Sequence, residues 1–376
     1  MGKAFDVIVV GARCAGSTTA MLLARKGYRV LAVDHSFFPS DTVSTHILHP
    51  LGVGALSRWG LLDRLVATGC PPIHTYAFDF GAFTIAGAPG TDENPVAYCP
   101  RRTILDKLLV DAAAESGAEI REGFAVEEII IEGERAVGIK GRSKRGGSVT
   151  EYAHVIVGAD GRHSMVSKAV QAEQYREKPR LLAGYYSYWS GLPMSGRFES
   201  YIRDRRAFAV VPTHDDLTLV VAGWPYAEFA ENRKDIEGNY LKAIELAPEF
   251  ARRLRSAARV APFAGTAVPN YFASHTVRAG LWWGTPATTK TLLPHREFSM
   301  PFATPSSARM RSISLSRGRC HSTTRWLNIN ESATSGAGRC TISLANSQRS
   351  SLRHPSCSSC FRRHTAIRRP WTDLRV

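Results

Sequence analysis

No apolar run in this 376-residue chain approaches the roughly 20 residues that a membrane-spanning helix needs. The first such run, Val7 to Val10, is also too short for a secretory signal and leads straight into a Gly-bearing turn. A soluble, cytoplasmic protein is therefore expected. Acidic residues are scarce at one end only. From Ala273 to Val376, fifteen Arg and one Lys meet just Glu297, Glu331 and Asp373, so that stretch carries +13 of the formal +15 and the first 272 residues carry +2. The basic balance is thus no property of the whole chain, and a specific nucleic-acid role is not expected without a recognition fold or regular aromatic interleaving. A second cysteine pair is missing too. Cys357-Ser358-Ser359-Cys360 has metal-ligand spacing, with His354 and His364 nearby, but no partner pair completes a site, so no metal is expected.

What is present before residue 273 is ordinary globular sequence. The chain is 44% hydrophobic and 22% charged, and it has room for two domains with a sizeable core. Phe5-Asp6-Val7-Ile8-Val9-Val10 reads as a strand buried on both faces. Gly11-Ala12-Arg13-Cys14-Ala15-Gly16 follows, then an Ala/Leu-rich helix pattern from Ala15 to Arg25 that stops at Gly27. A second strand, Arg29 to Val33, delivers Asp34. Strand, glycine turn, helix, strand and acid in this order predict a dinucleotide-binding βαβ unit. Gly11 makes the tight turn, and the helix N-terminus offers N–H groups and a positive dipole end to a diphosphate. Gly16 lets helix and strand pack closely, and Asp34 can accept hydrogen bonds from a ribose. Arg13 stands where the pattern has its second glycine, and a guanidinium there can itself reach phosphates.

Downstream, Arg102 opens a helix with Leu105, Leu109 and Ala113 on one face. Either Arg102 is solvated at the start of a core helix, or it faces the cofactor. Val126 to Ile131, Ala136 to Gly141 and Val149 to Tyr152 alternate like an antiparallel meander. A separate apolar run, Val155 to Val157, leads into Gly158-Ala159-Asp160-Gly161. Gly184 to Trp189, Ala207 to Pro212 and Leu217 to Trp224 read as strands of one antiparallel sheet, whose aromatics are core with some free to line a substrate pocket.

On Val10 to Ser17, Arg102 with its spaced leucines, and the Gly158-Ala159-Asp160-Gly161 turn, the chain resembles the FAD-dependent monooxygenases and geranylgeranyl-reductase-like proteins, whose fold is that of aromatic hydroxylases. The resemblance covers Lys3 to Phe272, and some members are similar at Arg13 as well. It implies an α/β fold: a Rossmann-like FAD/NAD(P)-binding domain at 1–174, an antiparallel substrate domain at 175–272 to which residues about 70–100 contribute, and an irregular or disordered segment at 273–376. It also implies FAD as cofactor, NADPH or NADH as reductant, and a small apolar or aromatic substrate. By the same resemblance Asp160 and Gly161 lie near the diphosphate and the nicotinamide path, and Ser44, Thr45 and His46 lie beside the flavin ring. No residue is assigned as catalytic, because the flavin carries the hard step.

A family member continues with a strand and a Gly-Asp turn. This chain has Gly280-Leu281-Trp282-Trp283-Gly284-Thr285. Tryptophan has one codon, so the adjacent pair forces Val-Gly in the neighbouring frame, and one permitted codon set regroups the stretch from Gly280 to Thr291 into Trp-Ala-Leu-Val-Gly-Asp-Ala-Gly-Tyr-Asn-Lys-Asp. Arg339 to Ala345 regroups in the same sense to permit Pro-Met-Tyr-Asp-Phe-Thr-Cys. A one-base deletion near Phe272/Ala273 is therefore expected. It accounts together for the charge jump, seventeen serines, four of the seven cysteines and the lost periodicity beyond that point.

Overall fold

The computed structural model describes residues 5–267 except 134 and 145, together with strands at 270–273, 276–277, 280–282, 313–315, 325–332 and 339–346. Two compact units divide the chain, 1–308 and 309–376.

The first unit opens as its sequence dictates. β1 (Phe5–Val10) is followed by α1 (Cys14–Ala24) and β2 (Val30–Val33). α2 (Arg102–Glu115) buries Leu105, Leu109 and Ala113, the stripe expected from their spacing, and packs on α1. β3 (Glu119–Arg121) and β4 (Ser148–Gly158) complete the parallel core, with β1 paired between β2 and β4 and β3 outside β2. The register sets Val7 against both Val30 and Val155, so Ile8, Val9, Leu31 and Ile156 are sealed on both faces. That double burial is why these strands are continuous β-branched runs rather than alternating ones. Phe124–Glu132 and Arg135–Ser143 form the expected meander. One expectation is corrected. The runs at Val149 and Val155 are a single strand, β4, whose first half pairs antiparallel with Arg135–Ser143 and whose second half pairs parallel with β1. No glycine or proline interrupts Tyr152-Ala153-His154, so nothing breaks the strand.

A second sheet follows, antiparallel except where Thr75–Asp79 pairs parallel with its edge. β5 (Leu182–Ser190), β6 (Arg197–Arg203), β7 (Arg206–Pro212) and β8 (Thr218–Pro225) are ordered β5-β8-β7-β6, and Thr75–Asp79 and Thr84–Gly87 extend the β6 edge. Strand alternation splits its aromatics between two faces. Tyr185, Trp189, Tyr201, Phe208 and Trp224 pack against α3 (Ile236–Glu245) and α4 (Pro248–Arg255) through Tyr240, Phe250 and Leu254. Tyr186, Tyr188, Phe198, Val211 and Leu219 face the other way, onto Ile47, Ile73, Ala97 and Cys99. A last short strand, β9 (Gly280–Trp282), runs parallel beside β4, with Gly158 opposite Trp282.

In the second unit, Ile313–Leu315, Arg325–Ser332 and Arg339–Asn346 form an antiparallel three-stranded sheet. The Cys357/Cys360 pair with its two histidines, the Gly-Asp regrouping beyond Trp282, and the rest of the expected irregular segment lie outside the described residues. Among the described residues no helix is long and apolar enough to cross a membrane.

Candidate functional site

The turn after β1 is shaped by two glycines. Gly11 sits at φ 97°, in the left-handed region that favours glycine, and a Cβ there would lie 2.6 Å from the Ala159 carbonyl carbon. A Cβ on Gly16 would lie 2.8 Å from the Gly11 carbonyl carbon and 3.2 Å from Ala159 Cβ. The βαβ turn and the turn ending β4 are therefore pressed together, and α1 starts directly above both. No acidic residue occupies its first turn and no side chain caps it, which suits a helix end that receives an anion.

Asp34 is buried at the end of β2. Its Oδ2 accepts from Ala12 N at 2.8 Å and its Oδ1 from Ser36 N at 2.8 Å. A carboxylate offers about four acceptor sites, so capacity for a ribose remains. Arg13 does something the sequence did not reveal. Its guanidinium is spread over Ser40 O at 3.2 Å, Ser40 Oγ at 3.0 Å, Asp41 O at 3.3 Å and Asp106 Oδ2 at 2.7 Å. It ties the 36–41 loop to α2. Arg102 also grips Asp106, with Nε to Oδ1 at 3.0 Å and an amino group to Oδ2 at 2.9 Å. Cys14 Sγ donates to the same carboxylate at 3.2 Å, and burial pushes its thiol up to about 12, so it stays protonated. Asp106 is wholly buried and holds two cations and a thiol beside the turn. The Arg102-to-Asp106 spacing of one helical turn was its only trace in the sequence.

At the end of β4, Asp160 Oδ2 accepts from Met165 N at 2.7 Å, while its buried Oδ1 has no partner. Gly161 adopts φ 77° with open space where a Cβ would be, so the conformation and not crowding requires glycine there.

The segment at 44–46 reaches the second sheet. Ser44 Oγ accepts from His46 N at 3.0 Å, and Thr45 is exposed. His46 is 2% exposed and has φ 62°, a rare strain for a residue with a Cβ. Its Nε2 lies 2.9 Å from Tyr188 Oη, its ring meets Tyr186 edge-on at 5.0 Å, and its Nδ1 has no partner. Three residues on, His49 Nδ1 lies 2.6 Å from Tyr76 Oη. The sheet is further docked by His214, which accepts from Arg101 N at 3.2 Å and meets Thr68 Oγ1 at 2.8 Å. These histidine–tyrosine pairs and the His214 dock join residues distant in sequence, and sequence reading missed them.

Burial lowers His46 to about 4, against an ordinary value near 6.5, with nearby Arg102 and Arg101 adding to the effect and Asp41 opposing it. The unfolded chain therefore binds a proton first. The stability held by neutral His46 is complete above about pH 6.5 and is lost as pH falls from there towards 4, on the order of 3 kcal/mol in all. Denaturation midpoints of the native chain and His46→Asn, measured across pH 4–7, should converge toward the acid end.

The residues fit a flavin dinucleotide: a glycine cradle that any Cβ would fill, an uncapped helix end, an acid at the ribose position, and orphaned buried polar atoms on Asp160 and His46. Among the described residues no cluster of His, Cys, Asp or Glu could hold a metal.

Comparison with known proteins points the same way. A family model described as an FAD binding domain matches residues 4–244. The phenazine 1,6-dicarboxylic acid hydroxylase PhzS of Lysobacter antibioticus is 30% identical over 230 residues, 58% of this chain and 53% of the hydroxylase. The digeranylgeranylglycerophospholipid reductase of Methanocella arvoryzae is 30% identical over 176 residues, covering 45% and 42% of the two chains. Among solved structures, the myxobacterial chondrochloren halogenase CndH, an FAD-dependent halogenase, superposes with a TM-score of 0.69 at 26% identity, covering 76% of this chain and 70% of the halogenase. The chain spans about half the length of the curated relatives it matches.

Proposed function

Because the chain belongs to the FAD binding domain family, we propose that it is an oxidoreductase built to hold FAD, of the NAD(P)H-dependent monooxygenase type, acting on a small apolar or aromatic molecule. The carrying observation is the joint cradle of Gly11, Gly16 and Ala159 beneath an uncapped helix end, with Asp34 alongside. Gly11 to Gly16 and the α1 N–H groups would take the diphosphate, and Asp34 the ribose. Arg102 and Arg13, neutralised in part by Asp106, set the local charge, and Asp160 and Gly161 edge the diphosphate. Bound FAD supplies hydride acceptance from a reduced nicotinamide and the subsequent oxygen or hydride chemistry.

The similarity to a digeranylgeranylglycerophospholipid reductase favours a second reading, hydride delivery to an isoprenoid-type double bond. An oxygen electrode with NADPH and aromatic or polyprenyl substrates separates them: oxygen uptake supports the monooxygenase, and substrate reduction without uptake supports the reductase. In either case Asp34→Asn should weaken FAD binding about tenfold by flavin fluorescence titration; unchanged affinity would remove the ribose assignment.

We further propose that residues from about Ala273 onward are an out-of-frame reading of a family member's C-terminus. β9 supports this. It lies beside β4 and ends at Trp282, where the regrouped codons place Ala-Leu-Val before Gly-Asp. The completed turn would meet the flavin, so the chain as it stands should retain FAD weakly. Sequencing the coding DNA tests the frame. A purified chain that is yellow and carries stoichiometric FAD would refute weak retention. The basic residues then act at most as a non-specific nucleic-acid surface, seen as salt-dependent DNA retention.

A further inference from the structure

The second sheet ends in an edge that its sequence leaves undefended. The outermost strand, Thr84–Gly87, pairs only with Thr75–Asp79 among the described residues, and every residue from Gly81 to Ala88 is exposed. Edge strands are ordinarily blunted by lysine, proline, a bulge or a covering element. Phe80 to Ala88 holds no charged residue and no proline, and Phe83 and Ile85 are each 58% exposed.

The turn fixes which backbone groups face outward. Phe80 N donates to Phe83 O at 2.9 Å across the turn Gly81-Ala82, where Gly81 has φ 88°. Phe80 and Phe83 are thus a hydrogen-bonded pair, and pair types alternate along an antiparallel ladder. In the register Asp79↔Thr84, Phe78↔Ile85 and Ala77↔Ala86, the N–H and C=O of Ile85 point inward, and those of Thr84 and Ala86 point out. Among the described residues these outward groups have no partner.

Such an edge is complementary to itself. A second copy turned about a twofold axis at Ile85 sets Thr84 opposite the partner's Ala86 and Ala86 opposite the partner's Thr84, which pairs every outward group of these residues. Phe83 then covers the partner's Gly87, a bare position suited to an aromatic, and Ile85 meets the partner's Ile85. Ile85 shares a face with its ladder partner Phe78, whose ring lies 5.9 Å from that of Phe198. The apolar strip therefore continues from one copy into the other. With no charge in the strand, the copies do not repel. A lipid surface suits the edge less well, because no lysine or arginine lies between Phe80 and Gly90 to hold it.

We propose that Thr84–Gly87 is a homodimer interface, through which two copies of this chain join their second sheets antiparallel about a twofold axis at Ile85. The strand covers about 350 Å² per copy against roughly 800 Å² in stable complexes, so the dimer is weak, with a Kd in the tens of micromolar.

Sedimentation velocity on the full chain, in about 0.5 M salt to screen the basic C-terminal segment, should show monomer at about 1 μM and mostly dimer at about 200 μM. Ala86→Pro removes an outward donor and no ladder bond to Ala77, and Ile85→Lys places a charge on the axis. Each should weaken the dimer at least tenfold. Leu51→Lys, at another apolar site that is 72% exposed, should not. Cross-linking reads the register. Ile85→Cys brings two thiols onto Cα atoms about 4.5 Å apart, within disulfide reach, whereas those of Phe83→Cys lie about 13 Å apart along the strands. Oxidation with copper phenanthroline should therefore join Ile85→Cys chains at that position and leave Phe83→Cys chains unjoined there, with mass spectrometry separating these links from any through the native cysteines. A native chain that stays monomeric throughout overturns the inference, including one that floats with phosphatidylcholine vesicles. So does a dimer that Ile85→Lys leaves intact, or one that cross-links equally well from Phe83→Cys. The native concentration series and the cross-link decide the matter even where Ala86→Pro or Ile85→Lys loses its native circular dichroism.

Discussion

Asp106→Ala is expected to cost about 3–5 kcal/mol of folding stability, because it leaves Arg102 and Arg13 without their carboxylate in a space where the side chains are 12% and 21% exposed. Water reaches Arg13 more readily than Arg102, which places the result toward the lower end. Asp106→Asn keeps the volume but removes the charge, and should lose most of the same energy. Chemical denaturation monitored by far-UV circular dichroism reads the loss. Arg64–Glu115 is the internal comparison, an ion pair of 2.6 Å whose side chains are 38% and 61% exposed. Glu115→Gln should change stability by no more than about 1 kcal/mol. Equal losses at the two sites would mean that the buried carboxylate does not organise its arginines.

The largest effect on cofactor affinity is expected at Gly16 and Gly11. In Gly16→Ala the new methyl meets the Gly11 carbonyl, which belongs to the same turn and cannot retreat without lifting α1 from β1. Gly11→Ala adds a left-handed conformation at φ 97° to a contact with Ala159 backbone. Either change should weaken FAD binding at least a hundredfold, about 2.8 kcal/mol, by fluorescence titration. Gly27 also has positive φ, at 81°, but no atom lies within 4 Å of its missing Cβ. Gly27→Asn should leave FAD affinity alone. A Gly16→Ala chain that binds FAD normally would break the link between this turn and the diphosphate.

The parts of the site legible in the sequence are local ones. β1, its glycine turn, α1 and the acid after β2 are encoded within one stretch, where apolar runs, φ-permissive residues and spacing speak directly to neighbouring backbone. The Leu105/Leu109/Ala113 stripe of α2 was equally plain, and so were three strands of the second sheet. What the sequence concealed depends on distant partners. Arg13 looked like a phosphate ligand because its carboxylate, Asp106, lies at the far end of a long-range contact between α1 and α2. Resemblance set His46 beside the flavin ring, and nothing in the sequence pointed to Tyr188, which lies within 2.9 Å of it. The continuity of β4 was hidden for another reason. Its two halves obey different burial patterns, alternating where one face is open and continuous where both are covered.

That shared strand has a consequence for how the protein is made. β1 emerges from the ribosome well before β4, its partner on one side, with Phe5 opposite Ala153. The N-terminal strand must wait with an open edge until the meander has been synthesised, and β9 joins still later. Such late, non-local pairing slows folding and leaves an aggregation-prone edge exposed in the interval. Slower translation between the meander and β9 should therefore raise the yield of soluble chain.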